Sequence, residues 1–194
     1  MDVLSEVLKA VKLDGAVFFH GVFASPWCVR EPDAGTMAAY LPTPSGHIII
    51  FHLLLEGQGY VRLEHEDRAV PLTAGDIIIL THGDVHCMGN GPPVPPMDTS
   101  EQLRQILTEG RMLSQLAGGG EVTKLICGYL TCDAQLCRVV LAGLPAMLKV
   151  NIRDTPSGQW LENTLRYSVD HAEASGPGGA AVIAKLSEAL FVET

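Results

Sequence analysis

Positive charge is scarce in this sequence. Lys and Arg number 13 against 22 Asp and Glu over 194 residues, a formal net charge of −9 with no dense basic cluster. Such a surface is poorly suited to gripping nucleic-acid phosphates, so tight DNA binding by these residues alone is not expected. Charged residues make up 18% and apolar ones 47%, which argues against wholesale disorder. A chain of this length buries a real core as one domain. Long apolar runs are missing too: the longest, 48–55, is interrupted by His52 and is far too short to span a bilayer. No secretory signal opens the chain. Instead Val3, Leu4, Val7, Leu8 and Val11 recur at helical spacing, which predicts an amphipathic helix over 1–14. The five cysteines are odd in number and contain no C-x-x-C, a pattern that fits a reducing compartment better than a disulfide framework. The expectation is a soluble, cytoplasmic chain with no membrane partner. Nucleophile elbows, Walker loops, H-E-x-x-H and G-x-G-x-x-G are all absent from the sequence, so catalysis finds little support.

What is present reads as strands first and helices later. Residues 15–22 are rich in Val and Phe, and 25–33 read as a loop. In 48–55, Ile48, Ile50, His52 and Leu54 point one way and Ile49, Phe51, Leu53 and Leu55 the other, a strand covered on both faces. Glycine-punctuated strands follow over 60–65, 69–72 and 77–80, then over 121–131. Their spacing predicts an antiparallel barrel or jelly roll over 15–131. The proline-rich 91–96 cannot continue a ladder, and 91–120 reads as a mobile insertion. From 132 to 194 the period is helical, so the fold class is α+β, mainly β, with an N-terminal helix and C-terminal helices.

The stretch GDIIILTHGDVHCMGN (75–90) sharpens this. Gly75, Thr81, Gly83, His86 and Asn90 resemble the second motif of the cupin superfamily, with Thr81 where that pattern usually has proline. LLEGQGYVRLEHE followed by PLTAGD resembles a cupin's central hairpin. The N-terminal helix, WCVREPD, FHLLLEGQGYV, GDIIILTHGDVH, CGYLTCD, LAGLP and AKLSEALFVET follow one another in an order similar to the cupin-type N-terminal domain of AraC-family transcription regulators. That resemblance implies a double-stranded β-helix barrel that senses an unknown small-molecule effector and forms a homodimer. It also implies DNA contact through helix-turn-helix units beyond Thr194, where this sequence stops just after Leu190, Phe191 and Val192. The alternatives are a metal-dependent cupin enzyme, a dioxygenase or isomerase, and a purely structural dimerisation module. Metal-dependent cupins take further ligands from a His-x-His motif with a glutamate; no two of the seven histidines here are separated by a single residue.

His86 is the leading site candidate, read either as a ligand to metal or effector, or as a histidine held by a backbone carbonyl. Metal binding needs three or four converging donors. Cys127 is the chosen partner, with Cys132 and His82 as additional ones, and this donor chemistry suits zinc or nickel. His52 is either a hydrogen-bonded core residue or part of a ligand cavity, and Tyr60 could wall such a cavity. For dimerisation, Ile183, Leu186 and Leu190 form one helical stripe. Trp160, Leu161, Leu165 and Ser168 form another, and both are available for a partner or for capping the barrel.

Overall fold

The computed structural model describes residues 13–14, 19–41, 46–109, 119–133, 141, 143–170, 181–182, 185–186 and 188–190. The expected N-terminal helix lies outside these, apart from a two-residue strand, β1 (Leu13–Asp14). The strands that follow are β2 (Phe19–Ala24), β3 (Trp27–Glu31), β4 (Gly46–Glu56), β5 (Gln58–Leu63), β6 (Val70–Thr73), β7 (Asp76–Leu80), β8 (His86–Asn90), β9 (Met97–Asp98), β10 (Val122–Asp133) and β11 (Met147–Asn151). Two sheets form. One runs β1-β10-β4-β7-β11 with β2 also on β10, and the other β6-β5-β8-β3-β9. Every pairing is antiparallel except β3 with β9. This is the expected jelly roll.

The alternation in β4 explains the layering. Ile48, Ile50 and Leu54 enter the core between the sheets with Val61, Leu63, Met88 and Leu125. Ile49, Phe51, Leu53 and Leu55 enter a second core on the back of the first sheet. That back is covered by a helix here named α3 (Pro156–Asp170), which presses Leu161 and Leu165 onto it together with Leu186 and Leu190. Burying each leucine contributes about 2 kcal/mol. Two shorter helices, α1 (Ala34–Ala38) and α2 (Ser100–Glu109), precede α3. Asp33 caps α1 by accepting from the Thr36 amide at 2.8 Å. Gly57 turns β4 into β5 at φ +81°, where a Cβ would also collide with the Val122 carbonyl oxygen.

Three expectations are corrected. Within the 25–33 segment, Trp27–Glu31 is strand β3, because its alternation buries Trp27 and Val29 against the other sheet. Within 91–120, α2 packs Leu103 and Ile106 into the main core; positions i, i+3 and i+4 at Leu103, Ile106 and Leu107 give a polar segment one apolar edge. Met147–Asn151, read as helical, pairs with β7 as β11, since an open edge of the sheet outweighs local period. Cys132 is disulfide-bonded, which the cysteine count did not suggest. Among the described residues no helix is long and apolar enough to cross a membrane.

Candidate functional site

On β4, His52 lies between Ile50 and Leu54 on the inward face, and the register sets it opposite Cys127 of β10. On the other sheet Glu31, the last residue of β3, lies opposite His86, the first of β8. The alternation that turns Trp27 and Val29 into the core turns Glu31 the same way. These two cross-strand pairs meet between the sheets. His52 Nε2 is 2.8 Å from His86 Nε2, and donor atoms of Glu31, His52 and His86 all lie within 4.8 Å of one another. Exposure is 7%, 1% and 0% respectively, so the cluster is sealed from solvent.

The proton positions follow from the partners. His86 Nδ1 lies 2.9 Å from the Asp84 carbonyl oxygen. A carbonyl only accepts, so His86 donates from Nδ1 and its Nε2 is left to accept. His52 therefore donates from Nε2, and its Nδ1 is a bare lone pair. That atom is buried and has no hydrogen-bond partner.

Burial also governs the charges. It holds His86 down at about 4 against an opposing pull from the Asp84 carbonyl. His52 is held well below the ordinary histidine value by burial and then by His86. Burial alone raises the Glu31 carboxyl to about 7. The Cys127 thiol is pushed well up by burial and by Glu31 nearby. At neutral pH both imidazoles are neutral and ready to donate lone pairs, while Glu31 stands half ionised.

Beside the cluster is a cavity of about 10 Å³ whose lining includes Glu31, His52, Cys127, Met37, Leu103, Leu107 and Tyr129. That space holds one water or one ion, not an organic molecule. Helix α2 forms part of the wall of this cavity through Leu103 and Leu107.

The residues singled out from sequence are only partly assembled here. His52 and His86 meet, and Cys127 lines the adjoining cavity without entering the 4.8 Å cluster. The carbonyl-held reading of His86 is also seen, since one ring nitrogen is held while the other faces His52. Tyr60 is not at this site. Val61 and Leu63 fill the core, and Tyr60 turns outward to donate to Cys28 Sγ at 3.5 Å. His82 is exposed and lies in a surface cleft of about 330 Å³ beside Asp33, Glu64 and Asp84. Cys132 packs with Ile126 and Leu130 on the opposite face of β10, and its disulfide removes it as a thiolate ligand. Of the dimer stripe, Ile183 lies outside the described residues. Leu186 and Leu190 are buried in the second core, so that part of the stripe is spent inside the domain. Trp160, expected on one stripe with Leu161 and Leu165, is 61% exposed while they are buried, because it sits on the far side of α3. Glu31 was missed. Its signal was the spacing Trp27, Val29, Glu31, legible only once that segment is read as a strand.

No curated protein matches the chain. Among solved structures it is similar to the protein YhaK from Escherichia coli, at 14% identity over 75% of this chain and 52% of that one, with a TM-score of 0.38. It is also similar to a variant of apo ToxT from Vibrio cholerae, at 11% identity over 93% of this chain and 56% of that one, with a TM-score of 0.43. The chain thus spans about half the length of these two proteins. The cupin family profile matches residues 2–194, and the chain belongs to the cupin family.

Proposed function

We propose that this is the ligand-sensing and dimerisation domain of an AraC-family transcriptional regulator, acting on DNA through a segment outside this sequence. The observation that carries the sensing role is the sealed Glu31–His52–His86 cluster. A purely structural barrel has no use for a buried carboxyl and two imidazoles at its centre, where leucines would pack without loss. Strongly shifted groups gathered beside a cavity mark a functional site instead. An enzyme must admit substrate and release product at every turnover, whereas a sensor can close over its ligand. Burial of all three side chains favours the sensor. The two-histidine, one-carboxylate set favours a second reading, a metal-dependent cupin dioxygenase or isomerase; that reading requires α2 to move for each turnover.

Chromatin immunoprecipitation of the intact gene product in its own host tests the regulatory part. Discrete promoter sites are expected, and transcripts from them should change several-fold in a His52→Ala strain that keeps normal protein levels. A gene product with no promoter occupancy would end the proposal.

Homodimerisation belongs to the same reading. With Leu186 and Leu190 internal, the outer face of α3, bearing Trp160 and Tyr167 at 61% and 65% exposure, is the surface assigned to it. In sedimentation, the wild type is expected to run as a dimer at tens of micromolar and Trp160→Glu/Tyr167→Glu as a folded monomer. A monomeric wild type refutes this, and Leu190→Glu should unfold the domain rather than dissociate it.

A further inference from the structure

We propose that the outer face of the second sheet binds a soft monovalent metal ion of the copper(I) type, held between the thiols of Cys28 and Cys87. The site lies on the opposite face of that sheet from Glu31 and His86, and it does not rest on the regulatory reading.

Strand alternation brings the two thiols to one place. Trp27 and Val29 on β3, Val61 and Leu63 on β5 and Met88 on β8 face the core, so Cys28, Tyr60, Arg62 and Cys87 face the other way. In the β3–β8 register Cys28 lies opposite Gly89 and Cys87 opposite Arg30. The cysteines are therefore diagonal neighbours on adjacent strands. Tyr60 lies opposite Gly89 from the β5 side. Because Gly89 has no side chain, the Tyr60 ring crosses β8 and its hydroxyl donates to Cys28 Sγ at 3.5 Å. A Cβ at Gly89 would stand 2.6 Å from that hydroxyl. Tyr60 thus covers Cys28, and both thiols are buried.

Spacing and donor number select the ion. Diagonal neighbours have Cβ atoms somewhat closer than about 7–8 Å, whereas a disulfide needs roughly 4 Å. Both thiols are free. A linear sulfur–metal–sulfur bridge is about 4.6 Å long, taking each bond at the zinc–thiolate value of about 2.3 Å. With a Cβ–Sγ bond at each end it covers the gap. Two thiolates satisfy copper(I), whereas zinc takes four ligands, or three and a water. The Glu31–His52–His86 cluster is the one group of three or more His, Cys, Asp or Glu donors among the described residues. No further donor of those types joins the outer pair.

Charge points the same way. Two thiolates and one monovalent cation leave one negative charge. Cys87 has an arginine opposite it on each side, Arg30 on β3 and Arg62 on β5. Arg30 is already neutralised by Glu64 at 2.6 Å and Asp98 at 3.3 Å. Arg62 has no carboxylate partner among the described residues; it donates to the Glu66 backbone carbonyl at 2.9 Å. Its positive charge balances the metal-loaded pair. Before metal arrives, burial and then Cys28 push the Cys87 thiol up, while Arg62 pulls it down. The bound ion drives both ionisations, and the two thiol protons pass to solvent.

The test is anaerobic copper(I) titration of untagged, reduced, metal-free protein, residues 1–194, in competition with a chromophoric copper(I) chelator. X-ray absorption of the loaded protein reads the ligands. Expected are one tightly held copper per chain and two sulfurs in a linear arrangement. Cys28→Ser and Cys87→Ser should each weaken binding at least tenfold, and Arg62→Gln several-fold. Cys127→Ser at the barrel centre should leave the affinity unchanged, and equimolar zinc should not displace the copper. Far-ultraviolet circular dichroism of each variant separates loss of ligand from loss of fold. A folded wild type that yields all its copper to the chelator overturns the proposal. So does undiminished binding by the folded double variant Cys28→Ser/Cys87→Ser, or a copper bound by nitrogen, which would place the ion at the barrel centre instead.

Discussion

Glu31→Gln is expected to stabilise the metal-free protein by about 3 kcal/mol at pH 7 and by almost nothing at pH 4. The Glu31 carboxyl titrates at about 7 in the folded state because it is buried, against an ordinary value of 4.5. Between those values the unfolded chain has released the proton and the folded chain still holds it. Stability from this group is therefore complete below pH 4.5 and is lost as pH rises toward 7, at about 1.4 kcal/mol per unit. Glutamine has the same shape and no proton to lose, so it escapes that penalty. His86 works in the opposite direction. Held down at about 4, it contributes stability that is complete above pH 6.5 and falls as pH drops toward 4, about 2 kcal/mol having gone by pH 5. Urea denaturation with chelator at pH 4, 5.5 and 7 measures both slopes. The wild type should be limited on both sides, and Glu31→Gln only on the acid side. Equal stability of the two proteins at pH 7 would contradict a buried, unpaired carboxyl. With a bound divalent metal the sign reverses, because Gln is a far weaker ligand than a carboxylate; added zinc should then favour the wild type.

Leu165→Ala is expected to destabilise the domain by about 3 kcal/mol, whereas Tyr167→Ala, two residues on, should change stability by no more than about 0.5 kcal/mol. Leu165 is fully buried between α3 and the back of the first sheet, and Tyr167 is 65% exposed. Truncating the leucine loses its transfer free energy and leaves a cavity that the stiff β4 and β7 residues cannot collapse into. Within a single domain the tyrosine side chain is mostly in solvent, so at protein concentrations below dimerisation its removal costs little. Chemical denaturation of both variants, with unchanged slope against denaturant, provides the comparison. Similar effects at the two positions would mean that α3 is not seated on the sheet.

Local pattern alone determined the main sheet strand and half of the site. The strict alternation of Ile48 to Leu55 specified a strand buried on both faces, and with it that His52 shares a face with Ile50 and Leu54. The resemblance of 75–90 to the second cupin motif singled out His86, on a strand end or loop. The first is a period-two signal, which survives because each residue's environment repeats along its own strand, and the second is a family resemblance. Neither signal contains distance between strands remote in sequence. That His52 and His86, 34 positions apart, touch at Nε2, and that Glu31 joins them, follows only from β3 lying against β8 while β4 faces them from the other sheet. The same holds for the helices. Leu161, Leu165, Leu186 and Leu190 were legible as apolar stripes, but a stripe buried in its own domain and one waiting for a partner have identical sequences. The back of the first sheet decided between them, because its isoleucines and leucines needed cover and α3 was the nearest apolar face to supply it.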